Sequence, residues 1–292
     1  MISYDTKDWF TFIFRFHKAD TVRKLFPLIL AISAYSALVA FLEVEVLQLS
    51  EQSHIKNISL MHNMLGFVIS MLLVFRTNTA YDRWWEGRKL WGALTNNSRN
   101  LAIKINNILA PDDVVNRSFF RKSIPLYAQV LRNHLQSEST RLALDESPHE
   151  DLDLDHSRHL PNQVANMLFK RTHELYKNGS ISGDQLIILN NELTAFTDIC
   201  GACERIKNTP IPFSYSSFLK KFIFFYVMTL PLGFVFSLGY IVIPVVAFIF
   251  YVLASLEMVG EEIEDPFGND ANDVPTSKIA DNIRVHVCEL LH

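Results

Sequence analysis

The sequence has few of the features that mark an enzyme, a secreted protein or a nucleic-acid-binding protein. Only three of its 292 residues are cysteine, which is too few for a disulfide framework and suits a reducing interior. The net charge is −4, so no global basic field indicates a nucleic acid partner. A Gly-rich phosphate loop, a Gly-x-Ser-x-Gly elbow and an HExxH motif are all missing. We therefore expect no enzyme activity, no nucleic-acid binding and no required cofactor.

Charged residues are missing from three long stretches, which apolar residues fill instead. Residues 25–42 and 58–75 are each close to the roughly 20 residues that cross a bilayer as a helix. Residues 222–256 are long enough for a helical hairpin of two short spans, with a turn allowed by the glycines and prolines of 231–244. Because 49% of the chain is hydrophobic and 22 Phe stand against 10 Gly, a helical protein with a membrane part is favoured.

The distribution of basic residues predicts how these spans are oriented. Residues 1–24 and the segment after residue 75 are basic, whereas the connecting loop 43–57 holds Lys56 as its only Lys or Arg. The positive-inside rule therefore places the N-terminus and the chain from residue 76 onward in the cytoplasm. The later hairpin returns the C-terminus to that side. Residues 8–18 mix aromatic and basic side chains, as an interfacial helix does.

The predicted fold class is an all-α membrane protein with four transmembrane helices and a large cytosolic helical domain. Within that domain we predict helices over residues 80–109, from about residue 111, over 162–178 and over 182–207. The four predicted parts are an interfacial helix with the first two spans (1–79), the cytosolic domain (80–215), a transmembrane hairpin (216–257) and an acidic cytosolic segment (258–292).

Two groups of metal-binding residue types lie in the predicted cytosolic domain. Cys200 and Cys203 form a lone CxxC without a second pair or a thioredoxin-like setting, so packing in a buried helix is favoured over redox or zinc chemistry. The loop 137–160 is acidic and contains three histidines whose spacing matches no specific metal site, so a solvated loop is favoured there. The histidines are His149, His156 and His159.

An apolar stripe lies on the second predicted span. Phe67, Met71 and Phe75 are spaced at i, i+4 and i+8, which places them on one side of a helix that continues into a segment rich in Arg and Trp. Such a stripe is either ordinary packing between helices or the wall of a pore, since hydrophobic constrictions are built from rings of apolar side chains. The residues alone leave both readings open.

Carboxylates cluster after the last apolar stretch, in residues 261–273 around Pro266-Phe267-Gly268. Hard oxygen ligands in a turn suit Ca²⁺, although the order is not that of an EF-hand loop. A solvated acidic turn explains the same residues equally well.

Three segments carry a family signal. They are FRTNTAYDRWWEGRKLWG at residues 75–92, CERI with TPIP and a Tyr at 203–215, and EDPFG with ND and a Pro at 264–275. In this order and spacing they resemble the bestrophin family of ion channels, in its bacterial branch. The resemblance implies a homopentamer of the bacterial inner membrane around one central pore, whose other partners are the lipid bilayer and permeating monovalent ions.

The resemblance also implies roles for particular residues. In the family the second span lines a hydrophobic neck of three rings, which match Phe67, Met71 and Phe75. A lower cytosolic aperture, usually apolar, falls near Asp184 in this chain. If Asp184 faces the axis, five carboxylates would favour cations there.

Eukaryotic bestrophins bind Ca²⁺ in the acidic turn after the last span. The matching positions are Asp265, Asp270 and Asp273, but uncharged residues interrupt the acidic run within 269–272, and this argues against gating by Ca²⁺. Eukaryotic members are chiefly chloride channels and bacterial relatives include cation-conducting members, so both ion signs stay open, with cations slightly favoured.

The predicted function is a passive pentameric ion channel with a hydrophobic neck and a cytosolic aperture. An alternative is a membrane-anchored sensor whose helical domain binds a soluble ligand, which the acidic loop and the large cytosolic fraction motivate. A membrane redox enzyme that uses the two cysteines of the CxxC is a third possibility.

Overall fold

The computed structural model of the protein describes residues 21–47, 58–136, 155 and 158–291. These residues are helices and their connections, and none of them is in a β-strand. The predicted interfacial helix at 8–18 lies outside the described residues, as does most of the acidic loop with His149 and His156.

Eight α-helices follow one another in the described residues. A π-helical turn, Leu42–Val46, extends the first helix, and a single 3-10 turn, Gly239–Ile241, joins the sixth to the seventh. The helices are α1 (Thr21–Phe41), α2 (Ile58–Ile108), α3 (Val114–Gln136), α4 (Leu160–Lys177), α5 (Gly183–Asn208), α6 (Phe213–Leu238), α7 (Val242–Glu264) and α8 (Thr276–Leu290).

Helix α2 is the longest element, with 51 residues and a length of about 75 Å. No proline interrupts it, and its buried positions recur every three or four residues along one side. Ile69 and Leu73 are buried in its first half, and Trp91 and Leu94 in its second. One continuous helix therefore runs through the predicted domain boundary at residue 79.

The apolar helices α1, α6, α7 and the first half of α2 share one hydrophobic core. Helices α6 and α7 are antiparallel, since Nζ of Lys220 near the start of α6 lies 2.9 Å from Oε1 of Glu261 near the end of α7. The chain reverses at Gly239, whose φ of 56° is in the left-handed region that residues with a side chain rarely adopt. The segments long and apolar enough to cross a membrane are Thr21–Val46, Ser59–Ile108 and Phe213–Glu264, the last with both arms of the hairpin.

A second core lies around the other half of α2, where α3, α4, α5 and α8 pack. Trp91 is fully buried in it, and the hydroxyl of Tyr127 donates to the carbonyl oxygen of Phe196 at 2.6 Å. The helices predicted at 162–178 and 182–207 correspond to α4 and α5 to within two residues at each end. The described residues of this part are helical, as predicted, and the helix predicted at 80–109 is the second half of α2.

The segment after α7 packs against α2 at Gly87. A Cβ atom built on Gly87 would lie 3.1 Å from the ring of Phe267 and 3.2 Å from Cγ of Pro266. Phe267 is only 1% exposed, and the indole N–H of Trp84 donates to the carbonyl oxygen of Asn272 at 2.9 Å. A side chain at position 87 would therefore require Phe267 and Pro266 to move by a few tenths of an ångström.

Substitution of the two glycines of the second half of α2 tests this contact. Gly92→Ala should raise the thermal unfolding midpoint, because alanine is favoured over glycine in a helix by about 1 kcal/mol and its Cβ would meet only Arg88, at 3.7 Å. The midpoint of Gly87→Ala should be lower than that of Gly92→Ala. The midpoint of Gly87→Val should be lower than that of the unsubstituted protein, because overpacking costs about 1–3 kcal/mol. Thermal unfolding in detergent measures all three, and equal midpoints for the two alanine variants would contradict the packing described.

Candidate functional site

The three residues of the apolar stripe lie on the side of α2 that the described helices leave uncovered. Phe67 is 72% exposed, Met71 49% and Phe75 54%. On the opposite side of the helix Ile69 and Leu73 are each 1% exposed, in contact with the core of the apolar helices. Among the residues that the structure describes, none packs over the stripe in the way that Ile69 and Leu73 are packed over.

Polar residues share this uncovered side of α2. Asn63 and Asn78 are exposed on it, and the exposed Ser70 donates to the carbonyl oxygen of Gly66 at 2.7 Å. Amide side chains carry unsatisfied hydrogen-bonding groups into hydrocarbon, where each costs free energy. The uncovered side of α2 thus carries both apolar and polar side chains, whereas a surface that contacts only lipid is apolar.

A buried histidine sets the position of α2 against α6. His62 is 1% exposed, and its Nε2 lies 2.9 Å from the hydroxyl oxygen of Thr229. One turn further along, a Cβ built on Gly66 would lie 2.8 Å from the hydroxyl oxygen of Tyr226. These contacts fix the rotation of α2, and with it the direction in which the stripe points.

Three ion pairs lie together at one end of the apolar helices, where α1, α2 and α6 each supply a base and α7 the acids. Arg76, one residue beyond the stripe, is only 2% exposed. A buried charge is tolerated when it is paired, and removal of one partner is strongly destabilising. The pairs are Lys24–Glu262 at 2.5 Å, Arg76–Glu264 at 2.6 Å and Lys220–Glu261 at 2.9 Å.

Arg83 binds two other parts of the chain through its guanidinium group. Its Nη2 donates to the carbonyl oxygen of Ile206 at 2.6 Å and its Nη1 to that of Thr209, both at the end of α5. Its Nε donates to the carbonyl oxygen of Glu264 at 3.0 Å. The three segments that carry the family resemblance therefore meet at one side chain.

Asp184 lies in the first turn of α5 and is exposed. Ser182 and Gln185 form a capping box at this helix end, each side chain bonded to the backbone N–H of the other. A carboxylate in the first helical turn also interacts favourably with the helix dipole. Asp184 thus stabilises the start of α5, and its carboxylate is exposed.

The acidic turn holds Asp265, Asp270 and Asp273 without bringing them together as a set of metal ligands. Oδ2 of Asp273 accepts from the backbone N–H of Asp270 at 2.6 Å, while Oδ1 of Asp265 accepts from the backbone N–H of Phe267 at 3.3 Å. Among the described residues, three ligand atoms converge within 4.8 Å only at His134, His159 and Glu204.

Cys200 and Cys203 are buried inside α5, at 2% and 0% exposure. Burial raises the pKa of the Cys200 thiol to about 12 and also raises that of Cys203, so neither forms the reactive thiolate at neutral pH. The predicted packing role of this CxxC is confirmed.

The comparison with protein families gives one match over nearly the entire chain. The family described as "Bacterial/Fungal Bestrophin protein" matches residues 1–289.

Curated relatives agree with it. The voltage-dependent anion channel-forming protein of Nostoc sp. is 34% identical over 231 residues, which are 77% of this chain and 75% of that protein. The protein of the same description from Escherichia coli, YneE, is 33% identical over 230 residues, 78% of this chain and 75% of its own length. These relatives form channels and are not enzymes.

Solved structures show the same fold. A bacterial bestrophin homologue from Klebsiella pneumoniae superposes with a TM-score of 0.80 and 26% identity over 90% of this chain and 97% of that one. A single-residue variant of the Klebsiella protein gives a TM-score of 0.81 with 25% identity, over 92% of this chain and 99% of that one. Together with the segments that meet at Arg83, these matches show that the chain belongs to the bacterial branch of the bestrophin family.

Proposed function

We propose that the protein is a passive ion channel of the bacterial inner membrane, assembled as a homopentamer around a central pore. The observation that carries this proposal is the uncovered side of α2, where the exposed amides of Asn63 and Asn78 flank the exposed stripe of Phe67, Met71 and Phe75. A surface of this kind is stable when neighbouring subunits and a water-filled axis cover it, since polar groups at membrane depth face a protein interior or a cavity.

The arrangement of charges supports a four-span topology with both termini in the cytoplasm. The spans are α1, the first half of α2, α6 and α7. Lys24, Arg76 and Lys220 meet the acidic end of α7 at one end of this bundle. Basic residues concentrate on the cytoplasmic side of membrane proteins, so this end is the cytoplasmic one. The second half of α2 and helices α3, α4, α5 and α8 then form the cytosolic domain.

The neck works through the absence of charge. Five copies of Phe67, Met71 and Phe75 around an axis make three apolar rings. A narrow apolar passage excludes water, and it therefore blocks ions, which would have to lose their hydration shell to pass, until it widens. Phenylalanine rings present positive edges or negative faces according to rotamer, so the neck itself does not fix the sign of the permeating ion.

The ion sign is set at the mouths of the pore. Relatives at 34% and 33% identity are described as anion channel-forming proteins, which favours anions such as chloride for this chain. The exposed carboxylate of Asp184 favours cations if it lines the cytosolic aperture, because five copies would create a negative ring. Anions are therefore the first candidate and monovalent cations the second.

Measurement of mass and conductance tests the assembly and the neck. The purified protein in detergent should have the mass of five chains, and the combined variant Phe67→Ala, Met71→Ala and Phe75→Ala should raise the current in planar bilayers severalfold, because a wider neck stays hydrated. Phe225→Ala, an exposed substitution on α6, is the matched control and should leave the current unchanged. A monomer that passes no current would instead favour a membrane-anchored sensor.

Reversal potentials in asymmetric potassium chloride test the ion sign. We expect the unsubstituted channel to reverse toward the chloride equilibrium potential. Asp184→Asn should shift the reversal potential further toward chloride if the carboxylate faces the pore, whereas Asp281→Asn, an exposed substitution on α8, should not. An unchanged potential in the Asp184 variant would remove this residue from the aperture.

Asp273 makes the tail sensitive to protons. Burial raises the pKa of Asp273 from its ordinary 3.8 to about 7, and the neighbouring carboxylates of Asp270 and Asp265 add to the rise. Between these two values the folded chain binds more protons at this position than the unfolded chain. The free energy of unfolding therefore falls as the pH rises from about 4 to 7, and stays low above that range.

Replacement of Asp273 by Asn should remove this pH dependence. Asn keeps an oxygen that can accept from Asp270, so Asp273→Asn should be more stable than the unsubstituted protein by roughly 1–2 kcal/mol at pH 8 and equal to it near pH 4. Thermal unfolding across this pH range is the measurement, with the exposed Asp281→Asn as control. Added Ca²⁺ that stabilises the unsubstituted protein but not the Asp273 variant would show instead that the turn binds calcium.

A further inference from the structure

Two histidines and a glutamate converge at one point of the cytosolic domain, apart from the stripe and the acidic turn. Oε1 of Glu204 lies 2.6 Å from Nε2 of His134 and 2.6 Å from Nε2 of His159. The two imidazole rings are 4.4 Å apart between their centroids. Both rings therefore point the same nitrogen at the same carboxylate oxygen.

We propose that His134, His159 and Glu204 form a binding site for a divalent transition-metal ion of the zinc type. Two imidazoles and a carboxylate are a recurrent ligand set for such ions, with a water molecule as the fourth ligand. The three side chains are about one-third exposed, which leaves an open direction for that water and for entry of the ion. This proposal does not depend on the proposed pore.

The geometry requires a small adjustment for an ion to enter. Ligand atoms at about 2.0–2.2 Å from a tetrahedral ion lie roughly 3.3 Å from one another, so each nitrogen would have to move several tenths of an ångström away from Oε1. The residues lie near helix ends, His134 in the last turn of α3 and His159 at the N-cap of α4. Side chains at these places have the freedom that the adjustment needs.

Metal binding would change the hydrogen bonding at the start of α4. Nδ1 of His159 accepts from the backbone N–H of Asn162 at 3.2 Å, so the proton of the neutral ring is on Nε2, where it is donated to Glu204. An ion at Nε2 displaces that proton to Nδ1, which can then no longer accept from Asn162. The ion and the helix cap therefore compete, and occupancy of the site should be visible at the first turn of α4.

The position of the cluster gives the ion a structural effect. It would join the end of α3, the start of α4 and the last part of α5. Directly after Glu204, Arg205 pairs with Glu86 of α2 at 2.8 Å and the carbonyl oxygen of Ile206 accepts from Arg83. A bound ion would thus brace the cytosolic helices where they are joined to α2.

Zinc binding to the purified full-length protein tests the site directly. After chelation and removal of metal, competition with a chromophoric chelator should show one Zn²⁺ per chain. Binding should weaken at least tenfold in both His134→Gln and Glu204→Gln, and should persist in His173→Gln, a substitution of an exposed histidine on α4. An unchanged elution volume and circular dichroism spectrum would show that the variants are folded.

A second pair of measurements separates this cluster from other histidines. The double variant His149→Gln and His156→Gln should bind zinc as the unsubstituted protein does, and the zinc absorption edge should show two imidazole ligands. Hydrogen exchange at the amide of Asn162 should accelerate when zinc is added. Binding that survives in the cluster variants, or that is lost only in the double variant, would overturn the proposal.

Discussion

The guanidinium group of Arg83 is the connection on which the arrangement of this protein depends. It projects from α2 and donates to carbonyl oxygens at the end of α5 and at the end of α7. A planar group with several donors can hold three backbone segments at fixed angles, which a lysine cannot do. Helix α2, the end of α5 and the end of α7 are joined at this residue, and Arg76 with Glu264 joins α2 to α7 again about two turns nearer the apolar half of α2.

The features that the sequence predicted are those encoded by short segments of the chain. The apolar stretches, the hairpin and the stripe at Phe67, Met71 and Phe75 follow from composition and helical spacing, which short segments carry by themselves. The boundary between α4 and α5 was also within reach, because the Asn178-Gly179 pair marks a local break between two helical patterns. A ring made from this stripe could not be predicted in the same way, because it would require other subunits.

The features that the sequence did not predict all depend on contacts between distant residues. Arg76 was counted as part of a basic flank, and only the approach of Glu264 allows it to be buried. His159 was grouped with the other histidines of the acidic loop, whereas it lies against His134 and Glu204, far from it in the sequence. No spacing rule covers such a set, since each ligand comes from a different helix. The three segments that carry the family resemblance are also distant in the sequence. They meet in space at Arg83, which belongs to the first segment and contacts the other two.

The unbroken course of α2 has a mechanical consequence. Its hydrogen-bonded backbone runs from the core that it shares with α1, α6 and α7 to the core that it shares with α3, α4, α5 and α8, and helices without proline bend only gently. A helix of this kind turns about its axis as one body, so a rotation at Trp91 is carried to Phe67. Helix α2 contains no proline at which the stripe could turn by itself. Any turn of the stripe about the helix axis would therefore also turn the half of α2 that packs against α3, α4, α5 and α8.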